Sequence, residues 1–297
     1  MKIKNLAIIY GDKTTIKNGV VTYHPTSKHI SDGRKFEKAN EANSADIRTN
    51  QNFSQGIVKF KFKAEDKKTG VLILDDDNWD AGVSYSTKTF LIRDHIRQKR
   101  DESGKFSQFA KNQEIEVRFE LFGSNARLFV NDILFCESTI NNLSTPLTFR
   151  ITSNGKVVLY DIEIESVKPK LFVVMQFSDE YNAFYKDVIK PISEEMGFEC
   201  VRADEFHSST PILTDIMKSI KESSAIIAEI TPDNPNVFYE IGFAHAIAKP
   251  TILVCDRNRE KLPFDLSSFR TLFYQNSISG KSKVESSLRK YLENILT

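Results

Sequence analysis

The residues best suited to chemistry lie in one stretch, Ala225-Ile-Ile-Ala-Glu-Ile-Thr-Pro-Asp-Asn-Pro-Asn-Val-Phe-Tyr-Glu-Ile-Gly-Phe-Ala-His-Ala-Ile-Ala-Lys-Pro-Thr-Ile-Leu-Val254. An apolar strand runs into an Asp/Asn/Pro turn, a helix follows, and a second apolar strand comes next. Glu240 is a lone carboxylate in the otherwise apolar opening of that helix, among Val237, Phe238, Tyr239, Ile241, Phe243 and Ala244. Two effects oppose each other at such a position. The helix N-terminus favours the ionised form, and apolar neighbours raise the pKa. A carboxylate held beside an anomeric carbon can attack it or stabilise an oxocarbenium-like transition state, so the placement suits a sugar or nucleotide substrate. The plain alternative is a salt-bridged or helix-start glutamate with no chemical role.

Such a residue needs a scaffold, and the hydrophobic period changes near residue 168. Before it, alternating runs recur between Gly/Asn/Asp/Ser turns: Ile57–Lys63, Val71–Leu74, Ile115–Phe122, Ala126–Val130, Leu147–Thr152 and Val157–Ile164. Period two with β-branched and aromatic residues predicts half-buried antiparallel strands, with turns at Gly123-Ser-Asn-Ala and Ser153-Asn-Gly155. No helix is expected there, and residues 1–167 are read as a β-sandwich of the jelly-roll type. Lys168-Pro-Lys170 is the expected hinge.

Over 168–297, strands and helices alternate. Strands are expected at Leu171–Phe177, Phe198–Arg202, Ala225–Ile230, Thr251–Cys255 and Thr271–Tyr274. The first helix carries Phe184, Tyr185, Val188, Ile189 and Ile192 on one face, and Gly197 closes it. The second carries Ile212, Leu213, Ile216, Met217 and Ile220, and the last Val284, Leu288, Tyr291, Leu292 and Ile295. Asn234 and Pro235 are the expected N-cap and first residue of the third. Strands apolar throughout and alternating with helices make a parallel sheet covered on both faces, here a flavodoxin-like doubly wound one. The fold class is thus multidomain, β plus α/β.

In such a sheet, ligands bind beyond the carboxyl ends of the strands, near the switch in strand order. The polar residues expected there are Gln176, Ser178 and Asp179, then Arg202, Asp204 and Glu205, then Thr231, Asp233, Asn234 and Asn236, and finally Asp256 and Arg257. Ser178 precedes a helix and is either a phosphate-holding hydroxyl or an ordinary N-cap. Arg202 and Asp204 either read a phosphate and a ribose or pair with each other. Asp215, at the edge of the second helix's apolar face, either holds a sugar hydroxyl or is a solvated carboxylate. His245 reads as structural or surface. His207 lies in a loop that would cover the crevice.

The first half offers less. Asp75-Asp-Asp-Asn-Trp-Asp80 is oxygen-rich but lacks the spacing of a calcium loop, so a solvated turn is expected. Arg93, Arg97, Lys99, Arg100 and Lys105 read as a mobile charged loop. Trp79 either stacks on a sugar or packs.

Bulk properties set limits. The chain has 297 residues, 41 Lys and Arg against 40 Asp and Glu, and a net charge of +1, so its overall charge points to neither nucleic acid nor membrane. No apolar run approaches the roughly 20 residues of a membrane helix. Met1-Lys-Ile-Lys-Asn-Leu lacks the apolar core of a signal peptide. Cys136, Cys200 and Cys255 are far apart and sit in apolar runs, which predicts buried thiols, no zinc site and a cytoplasmic location.

Four ordered blocks in residues 170–275 carry a resemblance. They are Phe172-Val-Val-Met-Gln-Phe-Ser178 with Val201-Arg-Ala-Asp-Glu205, Ser224–Thr231, Pro235-Asn-Val-Phe-Tyr-Glu-Ile-Gly-Phe-Ala244, and Lys249-Pro-Thr-Ile-Leu-Val254. Together they resemble the nucleoside 2-deoxyribosyltransferase-like superfamily, in its TIR-like bacterial branch. The resemblance implies that Glu240 is the nucleophile of N-glycosidic cleavage, that Asp215 orients the ligand and that Asp233 is the further acidic group, with Asn234 and Asn236 in the same turn. It implies NAD or another nucleotide as substrate rather than cofactor, a homo-oligomer, and effector domains of the kind found in bacterial anti-phage or stress systems. Glu114–Asn131, with its strand–turn–strand–Asn rhythm, resembles the concanavalin/laminin-G-like sandwiches, which implies a sensing or assembly role for 1–167. The expected activity is N-glycosidic cleavage of a nucleotide, and the alternative is a nucleotide-sensing module without catalysis.

Overall fold

The structure, a computed structural model, describes residues 5–11, 13–25, 43–75, 78–96, 98–140, 145–205, 211–259 and 261–296. His207, Arg97, Asp76 and Asp77 lie outside the described residues. The chain divides into two compact units, Met1–Leu121 with Asn125–Val167, and Phe122–Ser124 with Lys168–Thr297.

The first unit is built from β1 (Leu6–Tyr10), β2 (Thr14–Lys17), β3 (Val20–Tyr23), β4 (Ser44–Phe53), β5 (Gly56–Ala64), β6 (Thr69–Asp75) and β7 (Trp79–Val83). It continues with β8 (Phe90–Asp94), β9 (Lys99–Ser103), β10 (Ile115–Phe122), β11 (Asn125–Val130), β12 (Ile133–Thr139), β13 (Thr145–Ser153) and β14 (Val157–Ser166). Two antiparallel seven-stranded sheets form, ordered β1-β4-β13-β6-β7-β8-β9 and β12-β11-β10-β5-β14-β3-β2. Period two decides which side chains enter the core. In β5, Val58, Phe60 and Phe62 are buried, while Lys59, Lys61 and Lys63 alternate with them. Phe60 meets Phe149 of β13 edge to face, with centroids 5.4 Å apart. One apolar cluster spans the inner faces of both sheets.

Strands β15 (Lys170–Val174), β16 (Glu199–Arg202), β17 (Ala225–Glu229), β18 (Thr251–Asp256) and β19 (Thr271–Tyr274) form one parallel sheet ordered β16-β15-β17-β18-β19. Counted along this unit the order is 2-1-3-4-5, with its switch between β15 and β17. Alternate residues feed two separate cores. Leu171, Val173, Ala225, Ile227, Ile252 and Val254 pack in one cluster with α1 (Asp179–Phe184), α2 (Lys190–Glu195) and α5 (Ile278–Leu296). Phe172, Val174, Ile226, Ala228, Leu253 and Cys255 pack in the other with α3 (Ile212–Glu222) and α4 (Pro235–Ala246). This is why these strands read as apolar throughout.

The helix predicted over the first crossover is not regular. A π turn, Tyr185–Ile189, separates α1 from α2, and the Lys190 N–H donates to the Tyr185 carbonyl. Pro191, at the start of α2, has no N–H to offer the preceding turn, and a wider turn absorbs the defect. Gly197 closes α2 at φ +89°. In α3, Ile216 and Ile220 are buried, but Ile212 and Leu213, expected on the core face, are 64% and 49% exposed. The three thiols are free and buried, and burial pushes Cys136 up to about 12 and Cys200 to about 11. No described helix is long and apolar enough to cross a membrane.

Phe149 is fully buried at the centre of the sandwich core. Phe149→Ala should cost about 3–5 kcal/mol, read as a lowered urea midpoint. A loss below about 1 kcal/mol would mean that the inner faces of the two sheets are not packed as described.

Candidate functional site

The carboxyl ends of β15 and β17 are tied by one side chain. Asn234 is the N-cap of α4, and its side-chain oxygen accepts from the N–H groups of Asn236 at 3.0 Å and Val237 at 3.4 Å. Its amide nitrogen donates to Gln176 Oε1 at 3.4 Å, across the switch point. Pro235 follows as the first helical residue, where its missing N–H costs nothing. Of the residues nominated from sequence, Gln176, Asn234 and Asn236 are thus brought together.

Glu240 stands on α4, three residues from buried Val237 and one from buried Ile241, at the flank of the apolar stripe. It is half-buried and makes no hydrogen bond or ion pair with any described residue. Because α4 begins at Pro235, Glu240 lies in the second turn rather than the opening one, and the N-terminal field fades within the first. Desolvation therefore wins, and burial raises its carboxyl to about 7.

Most of the other candidates have partners. Arg202, 3% exposed, grips Asp204 through Nε at 2.7 Å and Nη2 at 2.6 Å. Its guanidinium also stacks over Tyr185 and Phe177, at 4.4 and 5.1 Å from the ring centroids, and this ion pair holds Asp204 below the usual carboxylate range. The mutual pairing of Arg202 and Asp204 is what the structure contains. Glu205 pairs with Lys190 at 2.8 Å. Asp233 is exposed and accepts from Arg259 Nη2 at 2.5 Å. Arg259 also donates to the carbonyls of Ile230 and Thr231, so it staples the turn after β17. Ser178 precedes α1 but its hydroxyl makes no cap bond. Asp215 is half-buried in α3, with Ile216 behind it in the core. His245 stacks on Phe269 at 4.2 Å, and burial lowers its pKa, which fits a structural histidine.

Glu229 was missed because it sits inside an apolar strand and reads as part of it. It ends β17 with no exposed surface. Its Oε1 accepts from the Thr231 N–H at 3.1 Å, from the Thr231 hydroxyl and from Tyr274 Oη at 3.2 Å, while Oε2 meets no donor among the described residues. Burial raises it to about 7 against the pull of those hydrogen bonds, with Asp256 adding to the rise. Its one sequence signal is a carboxylate next to the end of an otherwise apolar strand.

The polar motifs of the first unit are buried or paired within it. Trp79 is 1% exposed and stacks on Phe119, with centroids 5.0 Å apart. Asp75 and Asp80 are buried, not solvated; Asp75 accepts from the Thr145 hydroxyl, and Asp80 pairs with Arg93 and His95. Arg93, Lys99 and Arg100 belong to the β8–β9 hairpin rather than a loop.

No family model and no curated protein matches the chain. Solved structures similar to it include the carbohydrate binding module CBM66 from Bacillus subtilis, at TM-score 0.38 and 10% identity over 54% of this chain and 94% of that one. A Bacillus licheniformis β-glucanase matches at TM-score 0.36 and 10% identity, over 53% of this chain and 89% of that one. The TIR domain of the Toll-related receptor TRR-2 from Hydra magnipapillata matches at TM-score 0.35 and 14% identity, over 43% of this chain and 98% of that one.

Glu229 carries a stability signature. Its folded pKa lies above the ordinary unfolded value of about 4.3, so its contribution is fully present below that value and is lost as pH rises through about 7. Urea unfolding at pH 5 and pH 8 should show the wild type losing stability across the interval and Glu229→Gln losing clearly less. Equal losses would place the Glu229 carboxylate in water.

Proposed function

We infer that the second unit is an N-glycosidase acting on the base–ribose bond of a nucleotide, with NAD the leading candidate. The observation that carries this reading is Glu240: a half-buried carboxylate, raised towards neutrality, with no partner among the described residues, on the helix whose cap is bonded across the switch in strand order. A structural glutamate at that depth would normally be paired. The 2-1-3-4-5 order is the flavodoxin-like one, in which the crevice outside the carboxyl ends receives the ligand.

In this reading, ionised Glu240 attacks C1′ of the ribose or stabilises the positive charge that develops as the base departs. Gln176, Asn234 and Asn236 bind ribose and Asp215 orients it. Ser178 and the N–H groups that follow it hold phosphate. Arg202 would reach a phosphate only by releasing Asp204, and Asp233 would reach a ribose only by releasing Arg259. The transferase-like, TIR-like lineage, the jelly-roll form of the first unit with a sensing or assembly role, homo-oligomerisation, a cytoplasmic place and a part in anti-phage or stress defence belong to the same proposal.

One observation favours a second reading. A carboxyl at about 7 is half neutral at neutral pH, and the neutral form is no nucleophile. A crevice that binds a nucleotide and does no chemistry fits that state.

Purified protein at low and high concentration, incubated with NAD and a panel of nucleotides and deoxynucleosides, separates the two. The glycosidase releases nicotinamide or base, its rate rises with pH through about 7 as Glu240 ionises, and Glu240→Gln loses turnover by at least about 100-fold with unchanged circular dichroism. Turnover retained in folded Glu240→Gln would refute the mechanism. No release at any concentration, with thermal stabilisation by one nucleotide, would select the sensor.

A further inference from the structure

The sandwich sheet containing β4, β13, β6, β7 and β8 carries a separate candidate site on its outer face. Two cross-strand rows meet there. One runs Asp46, Arg150, Leu72, Gly82, and the other Thr148, Leu74, Asp80, Arg93. Row mates stand two residues apart on each strand, so they share a face. The row between them, Ile47, Phe149, Ile73, Ala81 and Ile92, points the other way and is wholly buried in the core.

A depression lies in the middle of that outer face. Gly82 has φ +134°, and a Cβ there would stand 2.3 Å from the Val71 carbonyl oxygen, so no side chain fills the position. Leu72 and Leu74 supply an apolar floor. Over it stands a cavity of about 560 Å³ that Tyr10 and Tyr85 also line, a size suited to a small ligand.

The rims are charged yet neutral in sum. Arg150 donates to Asp46 through Nε at 2.8 Å and Nη2 at 2.7 Å. Arg93 donates to Asp80 through Nε at 2.9 Å and Nη2 at 2.5 Å, and His95 Nε2 lies 3.0 Å from the same carboxylate. Each carboxylate–guanidinium fork is internally balanced, so neither offers a net charge to a phosphate or an ammonium group. The Asp46–Arg150 fork, the more exposed of the two, instead sets an acceptor beside a donor in fixed geometry. Two adjacent hydroxyls match that pattern, one donating to the carboxylate and the other accepting from the guanidinium. The apolar floor suits the C–H face of the ring that bears them.

We propose that this cavity binds an uncharged ring bearing adjacent hydroxyls, the chemistry shared by a neutral saccharide and the ribose of a nucleoside. Titration calorimetry on the full chain tests it with maltose, adenosine and 2′-deoxyadenosine, the last lacking the diol. Two variants locate the binding. Leu72→Trp grows from the outward-facing floor into the cavity. The double variant Asp46→Asn/Arg150→Gln removes one fork without leaving an unpaired charge. Maltose binding identifies a saccharide site; adenosine binding that weakens about tenfold or more without the 2′-hydroxyl identifies a ribose site. Either affinity should fall about tenfold or more in both variants, with the melting temperature reporting their folding; a variant that fails to fold is set aside and the other decides. Absence of binding to wild type at low millimolar ligand, or binding unchanged in a folded variant, overturns the proposal.

Discussion

The second unit depends on what Asn234 does with one short side chain. Its oxygen takes two of the N–H groups that a helix start leaves unsatisfied, and its nitrogen reaches Gln176 beyond the neighbouring strand. A cap of this kind is worth about 1 kcal/mol, a small sum. Its geometric consequence is larger. The cap fixes where α4 begins, and with Pro235 it fixes the phase of every residue on that helix. Val237, Ile241 and Ala244 then turn into the core, and Glu240 falls at the flank of their stripe, deep enough to lose water yet without a partner among the described residues. A shift of one residue in that start would rotate Glu240 by about 100° and leave an ordinary surface carboxylate.

Burial and charge are reconciled in three different ways within this unit. Arg202 and Asp204 share a bidentate pair flanked by aromatic rings, so the buried charge is answered in place. Glu229 sits deeper, takes three hydrogen bonds on one oxygen and is still pushed towards the neutral form, because hydrogen bonds from uncharged donors do not repay the loss of water. Glu240 has desolvation alone. In each case the carboxyl's state follows from whether a cation stands beside it, more than from depth. In the sandwich, Asp80 is as buried as Arg202 and is paired with Arg93 and His95.

Much of this was legible in the sequence. Period-two runs located β5, β10, β11, β13 and β14, because alternation on a half-buried sheet is written directly into residue type. The β15, β17 and β18 strands, the Asn234–Pro235 helix start and the Gly197 stop were likewise readable from local chemistry. The misses have physical causes. Strand β4, Ser44-Ala-Asp-Ile-Arg-Thr-Asn-Gln-Asn-Phe53, is rich in residues that favour turns, and only its long-range pairing with β1 and β13 makes it a strand. Asp75 and Asp80 looked like a solvated turn because their partners, Thr145, Arg93 and His95, are not their sequence neighbours.

By itself, then, the chain's sequence determined which segments alternate with period two, which run apolar throughout, where α4 starts, and that Glu240 is a carboxylate among apolar residues. These are local properties, set by side-chain shape and by groups a few residues apart. Tertiary structure alone decided the state of the charges. It paired Arg202 with Asp204 and Arg259 with Asp233, gave buried Glu229 the Tyr274 hydroxyl as a partner, and raised Glu229 and half-buried Glu240 towards neutrality. A pKa depends on how much water is excluded and which groups close in from other elements, and neither is fixed until the strands and helices have packed.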